Sequence, residues 1–250
     1  MPTVFILAGG LATRMHPLTS NYPKILLEVN GRPFIYHQLK LLAQNLNKNE
    51  CECKRVVLLL GFKGELVESY IKDNQLDSLF SLNISYVYDG PQLLGTGGAV
   101  KRALEAQDDT FIVLYGDSYL DYNYDLILNE FTPASASASA SASALALMTV
   151  YKNNNSFDSS NVLFKNGKII LYDKKNKVPE MEHIDWGFNL FRRLAFDEFP
   201  MKSKKFDLSD VFQHSLRMGR LQGYEVNKRF YEIGSHSGLE ELNNLLAKGS

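Results

Sequence analysis

The first half of this chain alternates short apolar runs with segments of helical periodicity, and no other feature constrains its fold as strongly. The apolar runs have the length of buried strands and lie at residues 3–7, 55–60, 84–88 and 110–115. Helices are predicted between them at residues 33–46, 65–71 and 98–106. Strands that alternate with helices form a mostly parallel sheet, joined by right-handed crossovers. The predicted fold class is therefore α/β, with a doubly wound sheet.

The second half has a different pattern, which begins with a repetitive segment. Residues 134–144 have the sequence ASASASASASA, in which no side chain is large enough to hold a core. A solvated, poorly ordered connector is the preferred interpretation, and a lid or partner-binding segment is the alternative. Strands are predicted beyond it at 145–151, 162–164, 169–172 and 183–191, and helices at 208–218 and 238–247. We expect a single domain over 1–250, with halves at 1–132 and 145–250, the second rich in antiparallel strands.

Composition and charge exclude several classes of protein. With 27 basic and 28 acidic side chains the net charge is −1, so there is no basic excess to attract nucleic acid. No apolar run reaches membrane-spanning length. Cys51 and Cys53 are too close for an ordinary disulfide and lack the second pair that a zinc site needs. A cytoplasmic protein with free thiols and without nucleic-acid or membrane partners is predicted.

The segment LAGGLATRMHPLTSNYPK, residues 7–24, carries the strongest chemical signal. A buried strand runs directly into Gly9 and Gly10, which let backbone N–H groups approach phosphate oxygens that a Cβ would block. Arg14 supplies a planar donor fork and Lys24 a compact charge, and both groups suit phosphate. The segment matches neither GxxxxGK[ST] nor GxGxxG. It indicates phosphate binding, with a tight turn that carries surface charges as the alternative.

Two shorter motifs follow later in the first half. LGTGGA, at residues 94–99, is a glycine-rich turn before a predicted helix, where anions or planar rings can lie close to the backbone. Asp117 ends an apolar strand, and a carboxylate there can hold a hard divalent cation that bridges phosphates. Each motif alone is also compatible with a simple loop.

Together, GGLATR…PK, LGTGGA and GD, in this order and spacing, resemble the sugar-phosphate nucleotidyltransferase family, the NDP-sugar pyrophosphorylases. The resemblance covers nearly the whole chain. GGLATRMHPLTSNYPKILLEVNGRPFIYHQL is similar to the subgroup with heptose-1-phosphate and mannose-1-phosphate guanylyltransferases and muramate-1-phosphate uridylyltransferases. The resemblance implies a Rossmann-like doubly wound mixed sheet with an antiparallel-rich sugar-binding cap. It also implies a Mg²⁺-dependent reaction in which an NTP and a sugar 1-phosphate give an NDP-sugar and pyrophosphate.

The resemblance also implies roles for individual residues of the nucleotide-binding half. The nucleotide would lie along Leu7, Ala8, Gly9, Gly10, Gly95, Thr96 and Gly97. Arg14 would hold the β- and γ-phosphates, and Lys24 would sit on the α-phosphate, so these two are the expected catalytic residues. Asp117 and Glu232 would ligate Mg²⁺. Glu232 lies in YEIGS where the family commonly has an Asp in D-[IV]-G-T, and its extra methylene allows coordination through water or a displaced metal.

The sugar-binding residues rest on weaker matches. Asp173 and Lys174 in LYDKK resemble an acidic-Lys pair that holds sugar hydroxyls and the sugar phosphate. Asp185 and Gly187 in IDWG resemble a stretch that ends in N-x-G, with a carboxylate in place of the amide. A solvated charge at a strand end is the alternative for both aspartates. Trp186 is expected in the core rather than on a ring of the substrate, and His16 on the surface.

Two alternatives remain open at this point. One is a cytidylyltransferase for a non-sugar phosphate such as phosphocholine, which would favour an aromatic cage. The other is a non-catalytic nucleotide-binding regulatory subunit, which would be expected to lose the cations or the metal carboxylate. The subgroup favours GTP, but neither the sugar nor the oligomeric state is determined. The side chains that select the base are expected near residues 88–92, and no code for them is derived.

Overall fold

The computed structural model describes residues 2–46, 54–105, 108–131 and 144–248. The strands are β1 Thr3–Ala8, β2 Glu28–Val29, β3 Arg32–Pro33, β4 Lys54–Leu60, β5 Leu82–Tyr88, β6 Thr110–Tyr115, β7 Ser118–Tyr119, β8 Ala146–Lys152, β9 Val162–Lys165, β10 Lys168–Tyr172, β11 His183–Asp185, β12 Phe188–Arg192, β13 Leu221–Val226 and β14 Tyr231–Glu232. The α-helices are α1 Phe34–Asn45, α2 Gly64–Asp73, α3 Leu76–Phe80, α4 Gly95–Ala103, α5 Tyr124–Phe131, α6 Leu194–Asp197, α7 Leu208–Arg217 and α8 His236–Lys248.

One large mixed sheet organises the described residues. Its strands follow the order β10-β9-β11-β8-β12-β6-β1-β4-β5, and β13 pairs with β8 in parallel. Strands β6, β1, β4 and β5 are parallel, whereas β12, β11, β9 and β10 pair antiparallel with their neighbours. The α/β class and the mixed, doubly wound sheet are thereby confirmed. Asn166 and Gly167, both with positive φ, form the turn between β9 and β10.

Both faces of the central strands are covered by apolar side chains. In β1, Val4 and Ile6 belong to one core, whereas Phe5 belongs to the other. Successive strand residues point to opposite faces, so a strand buried on both sides must be apolar throughout, which explains the uninterrupted TVFIL run. Each of these fully buried side chains contributes about 1.5–3 kcal/mol to the free energy of folding.

The predicted single strand at 183–191 is wrong, because the structure has two strands, β11 and β12, separated by a bulge. Asp185 pairs with Val150 and Leu190 with Leu147, so the register shifts by two residues between them. The bulge contains Gly187, whose φ of 104° is a backbone conformation that side chains rarely adopt. The helix predicted at 98–106 begins earlier, at Gly95, because the glycines form its first turn.

Arg192 contacts both Phe131 and Ala144, the described residues on either side of positions 132–143. Its Nε donates to the carbonyl of Ala144 at 3.0 Å, its Nη2 donates to the carbonyl of Phe131 at 3.4 Å, and its guanidinium lies over the Phe131 ring. The predicted connector at 134–144 lies outside the described residues except for Ala144, which is buried. Cys51 and Cys53 also lie outside them. None of the described helices has both the length and the apolar character required to cross a membrane.

Candidate active site

A cleft of about 350 Å³ lies at the carboxyl ends of the parallel strands β5, β4, β1 and β6. Ligands of α/β proteins bind at this edge, because the loops that leave parallel strands gather there. Nine of the predicted site residues line the cleft together: Leu7, Ala8, Gly9, Gly10, Lys24, Gly95, Thr96, Asp117 and Lys174. The remaining predicted residues, Arg14, Gly97, Asp173, Asp185, Gly187 and Glu232, do not line it, and their contacts differ from one to the next.

The glycine turn after β1 packs tightly against the neighbouring strand end. A Cβ on Gly9 would lie 3.3 Å from the backbone nitrogen of Gly61, whereas a Cβ on Gly10 would meet nothing within 4 Å. Gly9 is therefore constrained by packing, and Gly10 leaves open space beside the cleft. The chain then turns at Ala12, which has a left-handed φ of 50° and whose carbonyl accepts a hydrogen bond from Thr19 Oγ1 at 2.8 Å.

Lys24 and Asp117 form an ion pair in the cleft. Lys24 Nζ lies 2.6 Å from Asp117 Oδ2, and the two side chains are 20% and 30% exposed. Burial opposes ionisation of Asp117, but the charge and hydrogen bond of Lys24 outweigh it, so the pKa of Asp117 lies below its ordinary value. Lys24 therefore faces a negative charge from a residue 93 positions away in the chain.

Glu232 is brought beside Asp117 by a two-stranded ribbon. Strand β14 pairs with β7 so that Glu232 lies opposite Ser118, and the Ile233 N–H donates to the carbonyl of Asp117 at 3.0 Å. Burial, with a smaller contribution from the charge of Asp117, raises the pKa of Glu232 above its ordinary value. The Glu232 carboxylate accepts hydrogen bonds from the Gly234 N–H and from Ser235 Oγ.

The carboxylates of Asp117 and Glu232 are oxygen donors of the kind that magnesium prefers. No group of three or more His, Cys, Asp or Glu side chains that could hold a metal occurs among the described residues. Mg²⁺ however is usually held by one or two carboxylates together with substrate phosphates and water. Asp117 and Glu232 can supply that pair. Arg14 is exposed, and its Nη2 lies 3.3 Å from the position that a Cβ on Gly234 would take, which places the guanidinium at the Glu232 turn.

On the second-half side, Lys174 enters the cleft and Asp173 does not. Lys174 Nζ lies 4.9 Å from the centroid of the Tyr115 ring and 3.4 Å from its hydroxyl. Asp173 Oδ1 accepts hydrogen bonds from the N–H groups of Asn176 at 2.9 Å and Lys175 at 2.7 Å. These hydrogen bonds lower the pKa of Asp173 and hold the turn that orients Lys174.

Asp185 is buried and fully engaged within the protein. Its Oδ2 accepts a hydrogen bond from the Tyr115 hydroxyl at 2.5 Å, and its Oδ1 accepts from the Gly187 N–H and from Asn189 Nδ2. Gly187 in turn supplies its carbonyl to the N–H of Tyr115 at 3.1 Å. Both predicted residues therefore hold Tyr115, which lines the cleft. The predicted core position of Trp186 is confirmed, since its side chain is 1% exposed, and His16 is exposed as predicted.

The glycines of α4 serve two different purposes. Gly95 and Thr96 line the cleft, whereas a Cβ on Gly97 would lie 2.5 Å from the ring of Phe206. The carbonyl of Phe206 accepts hydrogen bonds from the N–H groups of Gly97 and Gly98 at 3.0 and 3.2 Å. The N–H groups at this helix terminus are thus used by a segment of the second half. In this structure, Gly97 is a packing glycine.

Asp89 was missed by the sequence analysis as an individual site residue, although it lies in the loop expected to select the base. It is buried, it lines the cleft, and its Oδ2 accepts a hydrogen bond from the Leu94 N–H at 3.2 Å. Burial raises its pKa above the ordinary value. Asp89 follows β5 as Asp117 follows β6, so an acidic residue after a buried strand was the available signal. Strands β1 and β4 lie between β5 and β6, so the ends of the two strands are about 14 Å apart at the usual strand spacing.

The chain and its fold are similar to known proteins. A family described as nucleotidyl transferase matches residues 3–249. Bifunctional protein GlmU of Methanococcus maripaludis is 27% identical over 92% of this chain, which spans only 50% of that relative. D-glycero-alpha-D-manno-heptose 1-phosphate guanylyltransferase of Campylobacter jejuni is 28% identical, with 92% of this chain and 93% of the relative covered. A Bacillus anthracis protein solved in complex with sucrose has the same fold, with a TM-score of 0.79 and 22% identity over 98% of this chain and 95% of that chain.

Proposed function

Because the chain belongs to the nucleotidyl transferase family, we propose that it transfers a nucleotidyl group from an NTP to a sugar 1-phosphate, releasing pyrophosphate. The observation that carries this proposal is the cleft itself. One strand edge holds a glycine turn, a lysine paired with an aspartate at 2.6 Å, and a second lysine from the other half of the chain. This arrangement suits two phosphorylated substrates that meet end to end.

The reaction needs positioning and charge neutralisation more than acid–base chemistry. A phosphate oxygen of the sugar phosphate attacks the α-phosphorus in line and displaces pyrophosphate. That oxygen is already ionised at neutral pH, so no general base is required. Lys24 lies beside Asp117 in the cleft, where its ammonium stabilises the negative charge that grows on the α-phosphate.

The metal and the remaining cations have separate tasks. Asp117 and Glu232 would hold Mg²⁺, which supplies charge neutralisation on the phosphates. Arg14, beside the Glu232 turn, meets the β- and γ-phosphates and favours the departure of pyrophosphate. Lys174 holds the sugar phosphate from the opposite wall, and Asp173 orients it through the turn at 173–176. Asp185 and Gly187 contribute through Tyr115, whose ring lies under Lys174.

Asp89 favours GTP as the nucleotide. Its Oδ1 has no hydrogen-bond donor in the part of the chain that the structure describes, and it lies at the end of the cleft away from Lys24. An ionised carboxylate only accepts hydrogen bonds. Guanine presents two neighbouring donors, N1–H and N2–H₂, whereas the Watson–Crick edges of the other bases place an acceptor beside their donor. Bidentate pairing with Asp89 therefore selects guanine.

The two alternatives identified from the sequence are less compatible with the cleft. A cage for a quaternary ammonium needs several aromatic rings, and Tyr115 is the aromatic residue that lines the cleft among the described residues. A regulatory subunit would not need the Lys24–Asp117 pair, which is intact. Neither alternative has an observation of its own in its favour.

The test is pyrophosphate release from each of four NTPs with a panel of sugar 1-phosphates. We expect release with a sugar 1-phosphate and with GTP as the best nucleotide. Asp89→Asn should lower kcat/KM for GTP by about tenfold or more, roughly 1–3 kcal/mol, and change the value for UTP much less. Asp77→Asn, an exposed aspartate on α3, is the matched control. Release with phosphocholine alone, or no release at all, would refute the proposed reaction. Equal use of UTP and GTP by the wild type and by Asp89→Asn would refute only the assignment of guanine as the preferred base.

A further inference from the structure

A second cleft, of about 640 Å³, lies away from the first and takes no part in the proposed reaction. It is defined here by Arg32, Tyr36, Lys40, Tyr119, Lys228 and Tyr231, which line it. These residues come from the β2–β3 hairpin, α1, β7, the segment that joins β13 to β14, and β14 itself. None of them lines the first cleft.

The second cleft concentrates positive charge in a chain whose net charge is −1. Four cations line it, Arg32, Lys40, Lys228 and Arg229, against the single carboxylate of Asp121 among the described residues. Lys228 pairs with Asp121 at 2.6 Å, and Arg229 pairs with Glu241 outside the cleft. Within the described residues, Arg32 and Lys40 have no carboxylate within ion-pair distance.

The pKa of His37, which lies in the same cleft, reflects this uncompensated positive charge. Burial lowers the pKa of His37, and the charges of Lys40 and Arg32 lower it further. A cluster of cations with low-dielectric walls attracts anions and raises their local concentration. Two exposed cations that have no carboxylate partner in the described ranges, next to two paired ones, are the donors that a phosphorylated ligand requires.

Aromatic rings supply the other part of the recognition surface. The Arg32 guanidinium lies 5.4 Å from the centroid of the Tyr36 ring, and the Arg229 guanidinium lies 4.5 Å from that of Tyr231. Tyr119 also lines the cleft, and a tyrosine hydroxyl is neutral and can donate a hydrogen bond at physiological pH. Tyrosine rings beside cations bind planar rings that carry phosphate groups.

The β7–β14 ribbon connects the second cleft to Glu232. In the β7–β14 ribbon, Tyr119 pairs with Tyr231 and Ser118 pairs with Glu232. Paired residues of antiparallel strands lie on the same face, and successive residues lie on opposite faces. The tyrosines therefore face the second cleft, which they line, and Glu232 lies on the opposite face of the ribbon. The carbonyl of Lys228 also accepts a hydrogen bond from Trp186 Nε1 at 2.9 Å, which ties this segment to the bulge beside Tyr115.

We propose that the second cleft binds a phosphorylated small molecule with a planar ring, of the nucleotide class, whichever reaction the first cleft performs. The pyrophosphate or phosphate group pairs with Arg32 and Lys40, and the ring lies against the tyrosines. Because a bound ligand contacts Tyr231, occupancy of the second cleft also shifts Glu232 and its turn.

The test is calorimetric titration with GDP, combined with Trp186 fluorescence, since this chain has one tryptophan. The wild-type protein should bind two molecules of GDP. The double variant Arg32→Gln/Lys40→Gln should lose one binding event, with an affinity loss of about tenfold or more, and keep the other. Lys165→Gln/Lys168→Gln, which removes two exposed charges from the β9–β10 hairpin, is the matched control and should keep both. Lys24→Gln should weaken only GDP binding at the first cleft, which is the event that Arg32→Gln/Lys40→Gln keeps.

The outcomes separate a built site from general attraction. The proposal would be overturned if the wild type and both double variants each show a single binding event that Lys24→Gln weakens. Equal losses of affinity in the two double variants would also overturn it. Inorganic pyrophosphate should bind at the Arg32-dependent event at least tenfold more weakly than GDP, because it offers no ring. Equal affinity of the two probes would overturn the role of the tyrosines. A change in Trp186 emission at the Arg32-dependent event is expected because of the Lys228 contact, and an unchanged emission would overturn the coupling to Glu232.

Discussion

The two halves of the chain supply the first cleft in different ways. The first half sends Lys24 and Asp117 into the cleft, where they contact each other and remain partly exposed. The second half sends in Lys174, whereas its two aspartates, Asp173 and Asp185, bond to groups of their own half or to Tyr115. The carboxyl ends of parallel strands meet at one edge, so the residues after them face a ligand directly. In the antiparallel half, a turn and a bulge need acceptors for their own N–H groups, and the aspartates fill that need.

Lys24→Ala should have the largest effect and would sharpen the contrast between the halves. Removal of the ammonium should lower kcat by roughly a hundredfold or more, about 3 kcal/mol of transition-state stabilisation, with the fold intact. Pyrophosphate release at saturating substrate measures it, and Lys165→Ala, at an exposed lysine of the β9–β10 hairpin, is the control. A mutant within threefold of wild type would show that Lys24 serves only Asp117.

Asp185→Ala should reduce stability rather than substrate affinity. The substitution leaves the Tyr115 hydroxyl, the Gly187 N–H and the Asn189 amide without their acceptor in a buried place. Unsatisfied buried groups of this kind cost about 1–3 kcal/mol each, and partial relaxation brings the expected loss in the free energy of unfolding to about 3 kcal/mol. Urea denaturation measures it. If the free energy of unfolding is unchanged while KM for the sugar phosphate rises, Asp185 is a direct ligand and the contrast fails.

Glu232→Gln tests whether Glu232, a second-half carboxylate that interacts with the charge of Asp117, acts on the metal. Glutamine can keep the contacts with Gly234 and Ser235, so the substitution isolates the charge. We expect the Mg²⁺ concentration for half-maximal rate to rise tenfold or more, about 1.4 kcal/mol. Glu232→Asp should cost less, since it keeps the charge and changes only the reach. An unmoved Mg²⁺ titration with a lower melting temperature would make Glu232 a structural carboxylate.

Asp173→Asn should have the smallest effect, and its pH dependence has a defined sign. Hydrogen bonds from Asn176 and Lys175 hold the pKa of Asp173 below its ordinary value. The stabilisation is therefore present above a pH of about 4 and is lost as the pH falls through the folded-state pKa. At pH 7 the variant should be less stable by well under 1 kcal/mol, since solvent screens the carboxylate. Equal stability differences at pH 7 and pH 2 would contradict this origin.

Periodicity was enough to predict the parallel half. A strand buried on both faces is apolar at every position, and β1, β4 and β6 have that pattern. Helix α5 was missed although Tyr124, Ile127, Leu128 and Phe131 are spaced for one buried face, a signal that was available. Strand β13 had no such signal, because LQGYEV is only partly buried and contains a glycine, and its pairing with β8 is a tertiary property.

The sequence predicted which residue types occupy the candidate site, but not which groups each of these residues contacts. A motif indicates that a carboxylate occupies a position, and it does not indicate which donors reach that carboxylate first. The bulge at Gly187 directs Asp185 toward Tyr115, and the ring of Phe206 occupies the space above Gly97. Both effects join segments far apart in the chain. Asp89 could have been found by treating each acidic residue after a buried strand as Asp117 was treated.

The Arg192 contact has a consequence for protein engineering. Its guanidinium donates hydrogen bonds to the carbonyls of Phe131 and Ala144, so one side chain contacts both of these residues, which are 13 positions apart in the chain. The free energy of closing a loop between fixed ends grows only with the logarithm of its length, about 0.6 kcal/mol for each doubling. A flexible fluorescent label or affinity tag inserted between Phe131 and Ala144 would therefore lie between residues that Arg192 already contacts, and we expect it to cost little stability. Substitution of Arg192 should remove that tolerance before it affects the cleft.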